Sequence, residues 1–227
     1  SFSNVFLYTF SSKMMSTIKN NIDLILIARF LKPEVVVAFD LTRRPIKLLY
    51  SFIGRPAAAL IASFANLRGE ENFKVLKNIT GKVISFSVLG LVFIASGIIA
   101  FNEDLISLWI GNDLFLGQKY NIALSIFFMI STFSYIISNL TYSLGNIKEN
   151  SQIEIIKDSI SLLILLTFGY YFGLWGIIIA PFVGVVFVDL IYFPKKLAKL
   201  IRMNNNILQF LDKSFILIIP IGFLLSI

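Results

Sequence analysis

Asp40, Arg44, Lys47, Ser51 and Arg55 follow one another at steps of four, three, four and four, with Arg43 beside them. Residues three and four apart share a helix face, so these side chains form a net positive stripe along one helix. A guanidinium grips phosphate oxygens in a fork and a lysine ammonium acts as a point charge. The chemistry open to such a stripe is the holding of an anion. A second set, Ser12, Ser16, Lys19, Asn20 and Asp23, falls on one face of the preceding segment. Opposed, the two stripes would wall a polar cleft. Asp23 and Asp40 are candidates to carry a coupling H⁺ or Na⁺. Their competing role is pairing, Asp23 with Lys19 and Asp40 with Arg44, each four residues apart. A milder polar face holds Ser131, Tyr135, Ser138 and Tyr142, with Ser134, Asn139 and Thr141 close by. Hydroxyls and aromatic faces suit a sugar. Ser and Thr also hold membrane helices together, and that reading stays open.

The elements carrying these residues are of two kinds. Residues 83–101, 120–147 and 159–188 contain no charge at all. A helix needs about 20 apolar residues to span a hydrocarbon core of roughly 30 Å. The first two segments are instead loaded with charge, which membrane helices tolerate only toward a watery cavity or a partner charge. Pro45 and Pro56 would kink the second and free carbonyls for a cavity. The alternative is a surface amphipathic helix, or charges that merely pair within a bundle. Arg55 fits that alternative poorly, because Leu60, Ile61 and Phe64 follow before the next basic loop.

Composition narrows the classes further. The 227 residues are 57% hydrophobic and include 23 Phe, no Cys and no His. A soluble domain so apolar would expose large sticky patches. Disulfides, thiol nucleophiles and Cys/His zinc sites are excluded, and the commonest proton-transfer side chain is missing. No cofactor is implied. The net charge of +7 does not point to nucleic acid, because its bases are divided between loops and helix interiors.

We read seven segments: 4–30, 35–64, 83–101, 121–144, 154–171, 175–192 and one beginning near 214. The long run 159–188 would make a helix of about 45 Å and is split at Phe172-Gly173-Leu174-Trp175 as a tight turn. Three alternate links are basic: Arg68, Lys74, Lys77 and Lys82 in one, Lys148 and Lys157 in the next, Lys195, Lys196, Lys199, Arg202 and Lys213 in the last. The link at 102–119 is acidic. The positive-inside rule puts the basic links in the cytoplasm. Asp158 and Asp189, near those ends, read as solvated. The chain begins at Ser1 and ends within a short apolar run, so both ends read as cuts in a longer protein.

Several stretches are similar to a known family. Asn20-Asn21-Ile22-Asp23 followed by Leu24-Ile25-Leu26-Ile27, Val36-Val37-Ala38-Phe39-Asp40, and Arg55-Pro56-Ala57-Ala58 are three of them. Ala65-Asn66-Leu67-Arg68-Gly69-Glu70, Leu108-Trp109-Ile110-Gly111, Gly145-Asn146-Ile147-Lys148 and the pair Gly173 and Gly176 are the rest. Together they resemble the C-terminal half of polysaccharide-unit (O-antigen or teichoic-type) flippases in the multidrug/oligosaccharidyl-lipid/polysaccharide exporter superfamily. The resemblance implies an all-α, polytopic membrane bundle, half of a two-bundle transporter of the multidrug-exporter type. Residues 1–193 would be the C-terminal six-helix bundle, 194–213 a basic cytoplasmic link and 214–227 the start of a further transmembrane helix.

It also implies a non-enzymatic function: turning undecaprenyl-pyrophosphate-linked oligosaccharide units from the inner to the outer leaflet by alternating access. The place would be a bacterial or archaeal plasma membrane. The partners would be the lipid-linked oligosaccharide, membrane lipids and the missing N-terminal bundle. Expected substrate contacts are Lys19, Arg43, Arg44, Lys47, Arg55, Tyr135 and Ser138. Other readings stay in view. An ion-coupled multidrug exporter of the same fold is disfavoured by the net positive stripe, and a lipid II flippase needs the same anion chemistry. A membrane transferase using polyprenyl phosphate needs an acidic metal motif, for which only Asp212 and the Glu70–Glu71 pair are available. A structural or partner-binding membrane subunit is the last.

Overall fold

The computed structural model describes residues 2–145 and 147–203, with the side chains of residues 2–4, 20, 57, 58, 61 and 112 left aside. Those residues are 91% helical, with no strand among them. The order is α1 (Phe2–Phe30), α2 (Pro33–Ala59), α3 (Ile61–Gly69), α4 (Phe73–Trp109), α5 (Gln118–Leu144), α6 (Ile147–Gly184) and α7 (Tyr192–Leu200). A 3₁₀ turn (Asn112–Leu114) links α4 to α5, and a π-helical stretch (Val185–Asp189) follows α6. The expected seventh segment and the second half of the expected basic link, 204–213, lie outside the described residues, and the first half is largely helical, in α7.

Three helices are long and apolar enough to cross a membrane: Phe73–Trp109, Gln118–Leu144 and Ile147–Leu200. Helix α4 shows how the sequence builds such an element. Leu76, Thr80, Ile84, Ser87, Leu91, Ala95, Ile98, Asn102 and Ile106 are all buried and recur at steps of three and four. Phe86, Phe93, Phe101 and Leu108 are exposed on another side, which suits lipid tails. The helix runs well past the charge-free residues 83–101 at both ends. The absence of charge marks what fits in hydrocarbon; the hydrogen-bond ladder continues through Lys74, Lys77, Glu103 and Asp104, which are as helix-compatible as the apolar residues. At its start the Asn72 side chain accepts the Val75 N–H at 3.3 Å.

The second expected segment, 35–64, is broken. Helix α2 runs through Pro45 and Pro56 and stops at Ala59, and α3 restarts after Leu60 without a side-chain cap. The split expected at 172–175 is found at Gly173, whose φ of 57° and ψ of −132° interrupt α6. That backbone region is open to glycine and strained for other residues. The arms of α6 before and after this point form a hairpin. A Cβ on Gly176 would overlap the Phe168 carbonyl, so the arms approach more closely than any side chain allows.

Packing joins α1 chiefly to the α6 hairpin, and α2 chiefly to α5 and α4. Two apolar clusters stack along the bundle. One joins Ile27, Phe39, Ile46, Tyr50, Leu91, Leu124 and Ile177. The other joins Phe64, Leu76, Ile84, Ile136, Leu140, Phe193 and Leu197, and places α7 against α5. An amide knot ties α2, α4 and α5. The Asn102 side-chain amide donates to the Thr42 backbone carbonyl at 3.0 Å and to the Asn121 side-chain Oδ1 at 2.8 Å. The Leu116 N–H donates to the Thr42 hydroxyl at 2.9 Å. Buried amide N–H groups seek partners, and the Asn102 and Asn121 amides both find acceptors here.

Candidate functional site

The stripe on α2 divides into a buried part and an exposed part. Arg43 is only 7% exposed. Its guanidinium pairs with Asp23 of α1, reaches Asp40 at 3.4 Å and lies over the Phe39 ring, 5.0 Å from its centre. The geometry therefore gives Arg43 an internal task, clamping α1 to α2. Arg44 pairs with Asp40 of its own helix, Nη2 to Oδ2 at 2.6 Å and Nε to Oδ2 at 2.8 Å, while 61% of its side chain stays open. Asp40 thus has the expected Arg44 partner and Arg43 as well.

Lys47 and Arg55 are exposed, and among the described residues neither forms an ion pair. Ser51, between them on the stripe, spends its hydroxyl on the Leu48 carbonyl at 2.7 Å. Tyr135 of α5 stands next to this part of α2. Its ring would meet a Cβ built on Gly54 at 3.4 Å, and nearly half of it is exposed. Gly54 directly precedes Arg55, so the missing side chain lets an aromatic face come up beside the guanidinium-bearing turn.

Residues Ser12, Ser16 and Lys19 of the α1 stripe do not oppose α2. They turn to α6. Ser12 donates to Glu154 at 3.0 Å and Ser16 donates to Asp158. The Lys19 ammonium pairs with Asp158 at 2.6 Å, and Asp158 is fully buried. Lys19 therefore does not pair with Asp23, and Asp158 is not solvated. Burial decides the choice: an unpaired carboxylate inside the bundle costs several kcal/mol, on the order of a full desolvation penalty, so the available cation is drawn to it. Asp189 is buried likewise. The Lys157 ammonium donates to both its carboxylate oxygens, at 2.9 and 3.1 Å.

Ser138 belongs to this second network and not to a sugar-facing surface with Tyr135. It is buried and donates to Glu154 at 3.1 Å, opposite Ser12. The Tyr142 hydroxyl lies among Glu154, Ser151 and Ser12. The face expected on α5 is thus shared between two neighbourhoods, with Tyr135 on one and Ser138 and Tyr142 on the other.

Glu154, Lys157, Asp158 and Asp189 were not singled out by the stripe pattern. A signal for them exists in the hairpin. Lys157 and Asp189 are equally far from Gly173, and so are Gly169 and Ile177, so folding at Gly173 must oppose each pair. Among the described residues no group of three or more His, Cys, Asp or Glu could hold a metal ion. Compared with protein-family models, curated proteins and solved structures, the chain matches none.

Proposed function

We propose that this chain is half of a membrane flippase for oligosaccharides linked to a polyprenyl pyrophosphate. The observation that carries the reading is the pair of exposed cations on α2, Lys47 and Arg55, neither of which forms an ion pair among the described residues; Asp23, the carboxylate whose field reaches Lys47, is already paired with Arg43. They stand on one element of a bundle that includes three candidate membrane spans. Exposed cations in such surroundings call for water or an anion.

Diphosphate is a compact polyanion that a guanidinium and an ammonium hold well in a low-dielectric cleft. The half-exposed Tyr135 ring beside Gly54 offers a flat apolar surface of the kind that sugar rings stack upon. The prenyl tail would stay in lipid while the head group passes along α2. Exit of negative charge from an inside-negative cell is favoured by about 2.3 kcal/mol per charge per 100 mV. Asp23 and Asp40, engaged with Arg43 and Arg44, act in this reading as internal counter-ions. The reading is of a transporter in a bacterial or archaeal plasma membrane, completed by a partner bundle that covers α2.

The test is Arg55→Ala in the complete protein. Surface glycan display should fall severely while membrane insertion and expression stay normal. Normal display at normal expression would remove Arg55 from the mechanism, and retained display in Lys47→Ala/Arg55→Ala would end the reading.

A further inference from the structure

The first turns of α4 carry a separate basic feature. Lys74, Lys77, Asn78, Gly81, Lys82 and Ser85 line one hollow of about 630 Å³. Lys74, Asn78, Gly81 and Ser85 follow at steps of four, three and four and share a helix face, with Lys77 and Lys82 flanking it. Gly81 leaves the middle of that face without a side chain. Among the described residues no carboxylate lines the hollow. Among the described residues none of the three lysines forms an ion pair. Three ammonium groups lining one hollow, with no carboxylate beside them among the described residues, repel one another, and an entering anion relieves that repulsion.

The level of the hollow says where that anion resides. The charge-free run of α4 starts at Val83, directly after Lys82, and its residues 83–101 rise about 28 Å, close to the hydrocarbon thickness of a bilayer. By the same rise Lys82 lies at the hydrocarbon border, Lys77 about 9 Å and Lys74 about 13 Å beyond it, so the hollow runs from the head-group layer to its outer edge. Long lysine stems suit that border, since they lie along apolar surface and carry the charge to the polar side. Clustered bases immediately beside a membrane span attract anionic head groups.

We infer that this hollow is a binding site for a phosphate group at the membrane surface. It is distinct from the α2 stripe and does not rest on the flippase reading. The shared chemistry is a phosphate anion ringed by lysine ammonium groups, and its sources are a phospholipid head group or free phosphate.

The purified protein would be placed in nanodiscs of phosphatidylcholine, alone or with phosphatidylglycerol, and retained lipid counted by native mass spectrometry. Inorganic pyrophosphate would be titrated in a parallel arm. Lys74→Gln/Lys77→Gln/Lys82→Gln should weaken binding by roughly a hundredfold, from three surface bases acting together. Lys74→Arg/Lys77→Arg/Lys82→Arg should preserve it. Lys13→Gln/Lys195→Gln/Lys199→Gln, which removes the same charge elsewhere, should leave it close to wild type. Lysine-dependent retention of phosphatidylglycerol assigns the site to lipid, and lysine-dependent binding of pyrophosphate alone assigns it to free phosphate. Equal binding by wild type and the hollow variant in both arms, or equal loss in the two glutamine variants, overturns the inference.

Discussion

The Lys157 ammonium holds both carboxylate oxygens of Asp189 across a hairpin that turns at Gly173. Both side chains are at least nine-tenths buried. Removing one partner strands the other charge. Asp189→Ala should therefore cost about 3–5 kcal/mol, whereas Lys157→Met/Asp189→Leu should cost much less and be close to neutral. Thermal unfolding in detergent with the two variants side by side makes the comparison. Equal losses would show that shape, and not charge, holds the hairpin.

The clamp between Asp23 and Arg43 is testable by a double-mutant cycle. Arg43→Ala and Asp23→Ala should each destabilise, and the double variant should lose less than their sum, with a coupling of about 0.5–3 kcal/mol. Additive losses would mean that the contact joins α1 and α2 without contributing to stability.

Glycines of α4 and α6 should respond differently. Gly176→Ala forces a methyl group into the Phe168 carbonyl and should cost about 1–3 kcal/mol or more. Gly97→Ala meets nothing within 4 Å and should be neutral or stabilise by up to about 1 kcal/mol, through helix propensity alone. Stability measured by denaturant or heat in one detergent separates the two.

The surroundings of the α2 stripe can be read with spin labels, since the chain contains no cysteine. A label at Lys47→Cys or Arg55→Cys should collide with a water-soluble nickel chelate. A label at Phe93→Cys, on the exposed side of α4 within the charge-free run, should collide with dissolved oxygen. A lipid-like signature at Arg55→Cys would contradict a watery path along α2.

Arg44 gives a graded test of charge. Arg44→Glu sets a carboxylate against Asp40, its present ion-pair partner, and along the route of an anion. Glycan display should fall further than in Arg44→Ala. A milder effect for the glutamate variant would show that the stripe does not meet a negative ligand.

The sequence speaks clearly where periodicity and the absence of charge coincide. The charge-free runs 83–101 and 159–188 lie within candidate spans, 120–147 overlaps the remaining one and extends past its end at Leu144, and the interruption of the longest fell at the glycine that breaks it. The true length of α4 was hidden because charged residues continue a helix as readily as apolar ones. In the stripe, spacing placed Arg44 beside Asp40 correctly, as an interaction within one helix. Spacing along one helix cannot choose between partners on different helices. Lys19 had Asp23 on its own α1 and took Asp158 of α6, and Asp23 went to Arg43 of α2. Ser138 and Tyr135 are three apart and nonetheless serve different neighbours, because α5 is in contact with both α2 and α6.

The amide knot of Thr42, Asn102 and Asn121 has a mechanical consequence. It binds α2, α4 and α5 into one rigid block through uncharged groups, while Lys19 and Asp158 bind α1 to the α6 hairpin as another. Among the described residues, Asp23 with Arg43 is the ion pair that latches block to block. The hydrogen bond from Ser138 of α5 to Glu154 of α6 crosses the same seam, so any swing of one block against the other must strain both ties, and their joint strength sets the threshold for the movement.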